Sequence, residues 1–276
     1  MMPAATMRSP RTTGAVEKRV NVAPPRRRVR RICTPLLICA VALVTKGLPT
    51  VSPARVDRRV AAHAARRVPE ILAALQQAGP DSILLAGNSH AELAGRTGED
   101  CGVKLINAGV GGVRANEYAT ILTRLAKSRR MREAVLLIGT NDIHPRNKPL
   151  SALARLHFTA EVTRILALLG ERADRITVAA VPPIGAEAVR RHDPAAVASH
   201  SDLLRGLCHE PRCRFVDPFE ALRSQEAGVA VPGVLTDAIH LADYPGMLAA
   251  LSLCPLQAVY GDRPPGSAAS ASGVVR

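Results

Sequence analysis

The chain has 276 residues, 47% hydrophobic and 22% charged, which suits one core of ordinary single-domain size and argues against two large domains. Its formal net charge of +14 would fit a nucleic-acid binder, but the charge is concentrated at one end. Residues 1–67 hold 15 Lys or Arg against two acidic residues, so the remainder, with 22 basic and 21 acidic residues, has a net charge of only +1. A nucleic-acid-binding domain would carry its basic residues on the fold, so no such partner is expected.

The N-terminal residues have the order of an export signal. Residues 1–31 are rich in Arg, Pro and Thr without apolar periodicity, and we expect them to be disordered. An uncharged apolar run follows at residues 32–44; its 13 residues fit the core of a signal peptide and fall short of the roughly 20 that span a bilayer. The pattern predicts a periplasmic or extracellular protein. The apolar run is either cleaved off as a signal peptide or kept as a short membrane anchor. A buried helix or an organellar transit peptide is the alternative.

A linker at residues 45–55 leads into the predicted globular domain, residues 56–260. The domain opens with an amphipathic helix over residues 56–77, because aliphatic residues recur there at helical spacing with Arg pairs between them. Pro69 is a candidate position for an interruption of this helix. Its Arg-rich face is expected to be solvated, with contact to anionic lipid headgroups as the alternative. The tail at residues 261–276, rich in Pro, Gly, Ser and Ala, is predicted to be flexible.

Short apolar runs then alternate with helical stretches. The runs predicted as strands are residues 83–86, 103–106, 134–138, 176–180 and 214–216. The stretches predicted as helices are residues 90–95, 114–128, 151–169, 195–207 and 244–253. This alternation indicates the α/β class: a three-layer, flavodoxin-like α/β/α sandwich with a central parallel sheet of about five strands. Ligand sites in such sheets gather beyond the carboxyl ends of the strands.

The first predicted strand runs into a sharp turn that contains a serine. Gly87, Asn88 and Ser89 connect the strand directly to a helix. Near a helix N-terminus, free backbone N–H groups and the positive end of the helix dipole favour the oxyanion that acyl transfer requires. A structural interpretation is also open, since Ser89 and Glu92 match a capping box.

Two further turns follow the second and third strands. Residues 107–112 contain three glycines, which let the backbone approach a ligand and free an N–H for donation, or form a plain tight turn. They match neither a P-loop nor the complete dinucleotide fingerprint. Residues 139–142 place the Asn141 amide where it can donate to an oxygen that becomes negative, with helix or turn capping by Asn141 or Asp142 as the alternative.

Asp237 and His240 precede the last predicted helix. In a tight turn, their three-residue spacing lets the carboxylate reach the imidazole Nδ1–H, fix the tautomer and stabilise the imidazolium formed when His240 accepts a proton. Taken alone, the pair is better explained by a turn-capping Asp and a packed His.

These four blocks, in this order between Gly87 and His240, together resemble the SGNH (GDSL-like) hydrolase superfamily, close to SGNH domains that modify cell-envelope polysaccharides. The resemblance implies Ser89 as nucleophile, His240 as general base and acid, and Asp237 as the carboxylate that orients it. One departure is visible, since Asn88 stands where the family usually has Asp. Asn keeps much of the hydrogen bonding but removes a charge, which leaves the rate and the pH optimum open.

The resemblance also implies an oxyanion hole. Its donors would be the backbone N–H groups of Ser89 and Gly112 and the side chain of Asn141. Gly112 is chosen for its position in the family's block, and Gly109 and Gly111 are its competitors.

The expected chemistry is ester cleavage through an acyl-Ser89 intermediate: hydrolysis if water accepts the acyl group, O-acyl (acetyl) transfer if a sugar hydroxyl does. The resemblance and the predicted export point to an acetylated envelope polysaccharide as substrate. A lipid or small ester comes next, because 2% aromatic residues and no Trp offer few stacking platforms for sugars. The alternative function is a non-catalytic envelope protein that binds a glycan or a protein partner on the same scaffold.

No cofactor and no metal site are expected, because Cys-x-x-Cys is absent and His209 has no nearby His partner. Cys208 and Cys213 would close a small loop in an oxidising compartment, with free thiols as the alternative. The sequence indicates no oligomeric state.

Overall fold

The structure, a computed structural model, describes residues 58–97, 103–125 and 130–253. The predicted leader, apolar run, linker and tail lie outside these ranges, so they and the domain boundaries stay predictions. Within the ranges, no helix combines the length and apolar character that a membrane crossing requires.

Six helices and five strands make up the regular structure of the described residues. In chain order they are α1 (Arg58–Gln76), β1 (Ile83–Gly87), α2 (Ser89–Thr97), β2 (Leu105–Gly109), α3 (Ala115–Arg124), β3 (Met131–Leu137), α4 (Ala152–Gly170), β4 (Ala173–Ala179), α5 (Pro194–Leu207), β5 (Cys213–Val216) and α6 (Tyr244–Ala250). Three short 3-10 helices lie in the loops at Pro145–Asn147, Ala186–Ala188 and Glu220–Leu222.

The five strands form one parallel sheet in the order β2-β1-β3-β4-β5. Gly87, the last residue of β1, pairs with Gly109 of β2 on one side and with Leu137 of β3 on the other. The carboxyl ends of these three strands therefore lie side by side, at what we call the carboxyl edge. The predicted α/β class and central parallel sheet are confirmed.

Alternate residues of the strands point into two separate cores. Leu84 and Ala86 of β1 pack in the core that α1, α3, α4 and α5 cover, whereas Ile83 and Leu85 pack in the core under α2 and α6. A strand buried on both faces is apolar at every position, which is why these strands appear in the sequence as continuous apolar runs.

Helix α1 continues through Pro69 from Arg58 to Gln76, so the interruption considered at that residue does not occur. The exposed side of the helix carries Pro69, while Ile71 and Leu75 are buried beneath it. Burial of the apolar stripe outweighs the loss of one helical hydrogen bond at the proline.

Candidate active site

The turn after β1 places Ser89 at the carboxyl edge. A Cβ on Gly87 would lie 1.9 Å from the carbonyl oxygen of Leu137, and Gly87 has φ of +130°, so a side chain does not fit there. Asn88 is fully buried; its N–H donates to Leu137 O (2.9 Å) and its Oδ1 accepts the N–H of His90 (3.0 Å). These contacts fix the first residue of α2, which is Ser89.

Three of the predicted site residues form one chain of hydrogen bonds. Ser89 Oγ lies 3.0 Å from Nε2 of His240, a residue 151 positions away in sequence. The other ring nitrogen of His240, Nδ1, lies 2.8 Å from Oδ2 of Asp237. Because an ionised carboxylate only accepts hydrogen bonds, Nδ1 carries the proton and Nε2 is left to accept the hydroxyl proton of Ser89.

Asp237 is held as a carboxylate by its own turn. Thr236 N–H donates to the carbonyl of His240 (2.8 Å), and Asp237 Oδ1 accepts the N–H groups of Ile239 (2.7 Å) and His240 (2.8 Å). Partial burial opposes ionisation, but the hydrogen bonds from the His240 imidazole and from these two N–H groups lower the pKa of Asp237 to about 2. Asp237 therefore caps the turn and orients the imidazole at the same time.

The glycine-rich turn after β2 presents one free N–H. The N–H of Gly109 donates to Asn107 Oδ1 (3.1 Å), and that of Gly111 donates to Glu92 Oε2 (2.7 Å). The N–H of Gly112, which has φ of +80°, has no acceptor among the described residues. Of the three competing glycines, Gly112 is thus the one whose N–H is available to a ligand.

The turn after β3 brings Asn141 beside this glycine turn. Asn141 donates one amide hydrogen to the carbonyl of Val113 (2.9 Å) and keeps the other available. Asp142 accepts the N–H of Ala115 at the start of α3 (3.1 and 3.3 Å), so the capping alternative applies to Asp142. Desolvation raises the pKa of Asp142 to about 7, although the Ala115 N–H and Arg114 favour its charged form.

A cluster that the sequence reasoning missed supports the glycine turn from behind. Glu92 does not form the capping box that was the alternative interpretation of Ser89; its Oε2 accepts the Gly111 N–H and lies 2.8 Å from Nε2 of His63. Burial raises the pKa of Glu92, but the hydrogen bonds with His63 and Gly111 and the charge of Arg67 outweigh this and hold it below its ordinary value. Glu92 is therefore charged and ties α1, α2 and the glycine turn together.

Helix α1 forms one wall of the same turn. Arg67 is nearly buried and donates to the carbonyl of Gly109 (3.2 and 3.3 Å) and to Asn107 Oδ1 (3.2 Å), so the solvated or lipid-facing interpretation is wrong for this residue. A Cβ on Gly112 would lie 3.0 Å from Cγ2 of Val60. The signal in the sequence was position: His63 and Arg67 lie four residues apart on the apolar stripe of the helix, where a polar side chain needs a partner.

Behind the triad lies a second, buried histidine. His90 contacts the hydroxyl of Tyr244 through Nδ1 (3.1 Å), and its ring lies 5.6 Å from that of His240. Burial lowers the pKa of His90 to about 3; the electrostatic interaction with His240 acts in the same direction and that with Asp237 against it. His90 is therefore neutral near pH 7.

Within the described ranges, no group of three or more His, Cys, Asp or Glu side chains is placed to hold a metal ion. Cys208 and Cys213 form a disulfide, which closes the small loop that contains Pro211.

Known proteins share the fold of this chain. The chain has no significant match among curated proteins. Among solved structures it is similar to a candidate platelet activating factor from Streptococcus pneumonia (TM-score 0.60, 18% identity, covering 78% of this chain and 97% of that chain). It is also similar to a candidate acylhydrolase from Bacteroides fragilis (0.55, 18%, 70% and 94%) and a GDSL-like lipase from Bacteroides thetaiotaomicron (0.54, 18%, 70% and 96%).

At this level of identity the structural likenesses show the fold alone. The model of the GDSL-like lipase/acylhydrolase family, however, matches residues 76–243, which is more than half of the chain and contains every residue of the site except those on α1 and at the start of α6. The chain therefore belongs to the GDSL-like lipase/acylhydrolase family.

Proposed function

We propose that this protein is a serine-dependent ester hydrolase that works through an acyl-Ser89 intermediate. The observation that carries the proposal is the unbroken chain of hydrogen bonds from Asp237 through His240 to Ser89. A hydroxyl is a weak nucleophile until a neighbouring base takes its proton, and Nε2 of His240 is the base within reach.

In the first step, Ser89 Oγ bonds to the carbonyl carbon of the ester while its proton passes to Nε2 of His240. The carbonyl oxygen becomes negative as this bond forms. The N–H groups of Ser89 and Gly112 and the second amide hydrogen of Asn141 are the donors proposed to stabilise that charge.

The carbon–oxygen bond to the alcohol then breaks, and His240 returns its proton to the departing oxygen. Water attacks the acyl carbon next, again giving a proton to His240, and Ser89 leaves with that proton. The sum is ester plus water giving acid plus alcohol. The negative charge of Asp237 stabilises the imidazolium in both halves.

For the substrate, we propose an acetyl ester carried on a glycan of the cell envelope. The proposal is supported by the predicted export and by the openness of the triad, since the side chains of Asp237 and His240 remain 57% and 30% exposed. Because the base, His240, is partly exposed, there is room for the bulky alcohol part of the ester to remain outside the protein. A sugar hydroxyl in place of water in the last step would make the protein an O-acetyltransferase.

The mechanism is tested by labelling with a fluorophosphonate probe, which reacts with an activated serine whatever the natural substrate. Ser89→Ala and His240→Ala should abolish labelling, while the matched controls Ser224→Ala and His209→Ala, which alter residues outside the site, should label normally. Circular dichroism would show that each variant is folded. Normal labelling of folded Ser89→Ala would mean that the nucleophile is another residue, and absence of labelling in the wild type would favour a binding role.

The substrate class is tested separately, with p-nitrophenyl esters of increasing chain length and with an acetylated polysaccharide. Acetate release from the polysaccharide and fastest turnover of the acetyl ester are expected. Added sugar acceptors show whether the acetyl group goes to water or to a hydroxyl. Preference for long acyl chains would overturn the acetyl proposal and leave the mechanism standing.

A further inference from the structure

Within the part of the chain that the structure describes, the exposed large aliphatic side chains lie in two neighbouring segments. Among the described residues, four large aliphatic side chains are exposed: Leu150 (46%), Leu153 (52%), Leu156 (66%) and Val189 (39%). Leu150 precedes α4, Leu153 and Leu156 lie one turn apart near its start, and Val189 lies in the β4–α5 loop. We call these four residues the apolar rim.

The two segments that carry the apolar rim adjoin each other at the carboxyl edge. The N–H of Asp193 donates to the carbonyl of Ile143 (2.8 Å), which joins the β4–α5 loop to the β3–α4 loop. The amide of Asn147 donates to the carbonyls of Asn141 and Asp142 (both 3.2 Å). The rim therefore continues from the turn that carries Asn141, on the side of the molecule where the active site opens.

The segments that carry the apolar rim are also rich in positive charge. Five exposed cationic residues lie in the same segments and form no ion pair with any described residue: Arg146, Lys148, Arg155, Arg190 and Arg191. The stretch from Ile143 to Ala160 contains no Asp or Glu. In the β4–α5 loop the acidic residues are Glu187 and Asp193, of which Asp193 caps α5 through the N–H of Ala195 (3.0 Å).

We propose that the apolar rim docks the carboxyl edge onto the surface of an anionic lipid bilayer. Exposed aliphatic side chains in segments rich in unpaired Lys and Arg fit the boundary between acyl chains and anionic headgroups, since the aliphatic groups enter the bilayer while the cations meet lipid charges. A second copy of the chain would bring two sets of like charges together, and a nucleic acid would leave the leucines without an apolar partner. This inference concerns binding and holds whether or not the proposed ester chemistry is correct.

The path of the chain agrees with this orientation. Helix α1 begins at the same edge, because Val60 packs on Gly112 and His63 contacts Glu92. Residues 45–57, between the predicted apolar run and Arg58, span at most about 45 Å when fully extended. A membrane segment at residues 32–44 would thus leave the start of α1, at the carboxyl edge, within that reach of the bilayer.

The absence of Trp from the sequence permits a direct test. In the full chain, Leu156→Trp places a single tryptophan on the rim, and Thr163→Trp places one on the same face of α4, seven residues and about 10 Å further from the edge. Both variants keep the basic leader, so both reach vesicles of phosphatidylcholine and phosphatidylglycerol. Vesicles with brominated acyl chains should quench the tryptophan at residue 156 and shift its emission to shorter wavelength, and leave the one at residue 163 unchanged.

Charge is tested in the Leu156→Trp background. Arg146→Gln with Lys148→Gln should abolish the quenching at about 0.15 M salt, where charges further apart than about 8 Å are screened. The control pair Lys104→Gln with Arg124→Gln removes two charges at the opposite end of the strands and should keep the quenching. Circular dichroism of each variant would show that it is folded, independently of any ester turnover.

Three results would overturn the proposal: equal quenching at residues 156 and 163, an unchanged tryptophan at residue 156 in protein that sediments with the vesicles, and a lipid-independent shift that grows with protein concentration. The last would assign the rim to contact between copies of the chain.

Discussion

The two halves of the candidate site are built in different ways. Asp237 and His240 lie three residues apart in one exposed turn, held by bonds within that turn. The proposed oxyanion donors come from three separate turns, held by buried contacts such as Glu92, whose side chain is only 6% exposed. When a side chain of the first half is removed, water can take over part of its hydrogen bonding. The second half depends on packing contacts that only the complete fold provides.

The largest effect that sharpens this comparison is expected at Asp237. Asp237→Asn should reduce kcat by up to about 10⁴-fold, since an amide hydrogen facing Nδ1 stabilises the wrong tautomer of His240. Because the side chain is 57% exposed, Asp237→Ala leaves a space that solvent can enter. Added formate or acetate should therefore restore part of the activity of Asp237→Ala and none of that of His240→Ala. Steady-state kinetics with a soluble ester measures both, and a lack of rescue would show that the turn is less open than its exposure indicates.

The buried half should behave otherwise. Asn141→Ala should reduce kcat by roughly 10² to 10³-fold, the usual effect of losing one oxyanion donor, and no small solute should restore it. The Asn141 amide also donates to the carbonyl of Val113, so its loss can lower stability as well as activity. The melting temperature must therefore be measured alongside kcat. Labelling by the fluorophosphonate should persist at a reduced rate, because the nucleophile and base are intact. An unchanged kcat would exclude Asn141 from the oxyanion hole.

A smaller effect is expected at Glu92, which acts through Gly111 as a positioning residue. Glu92→Ala should reduce kcat by roughly tenfold with little change in KM, because the Gly112 N–H loses its fixed direction when Gly111 loses its acceptor. Glu92→Gln should recover part of kcat, since an amide oxygen still accepts this N–H. Glu70→Ala, which removes an exposed partner of Arg67, is the matched control and should leave kcat unchanged. A fall in melting temperature without any fall in kcat would reduce Glu92 to a purely structural role.

The sequence was most informative where one local signal decides the structure. In the sequence, strand β1 and the serine turn appear as one apolar run followed by Gly87. Helix α4 begins and ends within one residue of its predicted bounds. Strand β2 is harder, because Asn107 and Gly109 look like turn residues; in the fold they complete the strand beside β1. Parallel pairing supplies hydrogen bonds that single-sequence propensity does not contain.

The same distinction applies to the site. The contact between Asp237 and His240 could be foreseen because it is local, at three residues' spacing, but only the other three blocks favoured it over a turn-capping Asp and a packed His. The role of Glu92 was not, since the competing capping box is local while its contacts with His63 and Gly111 lie 29 and 19 residues away. Long-range contacts of this kind depend on how α1 packs on the sheet, which residue patterns alone do not specify.

The smallest effect on turnover, and the clearest on stability, is expected at the buried histidine behind the triad. The pKa of His90 is lowered to about 3 in the folded protein, from an ordinary value of 6.5 that applies in the unfolded chain. Between these values the unfolded state binds a proton that the folded state does not, so the free energy of unfolding falls as the pH falls from 6.5 towards 3. The pKa values of His192 and His200, each lowered to about 4, act in the same direction.

Urea unfolding at pH 7.5 and 5.0 isolates the contribution of His90. Through His90, the free energy of unfolding should fall by about 2 kcal/mol over that interval. The pH of 5.0 lies 1.5 units below the ordinary pKa of 6.5, and each unit contributes about 1.4 kcal/mol. His90→Gln should therefore lose about 2 kcal/mol less than the wild type between the two pH values, while the exposed control His209→Gln should lose as much as the wild type. Since His90 only flanks the His240 ring, kcat of His90→Gln at pH 7.5 should stay within a few-fold of the wild type. An unchanged pH dependence of stability in His90→Gln would mean that solvent reaches His90 in the folded protein, contrary to its burial.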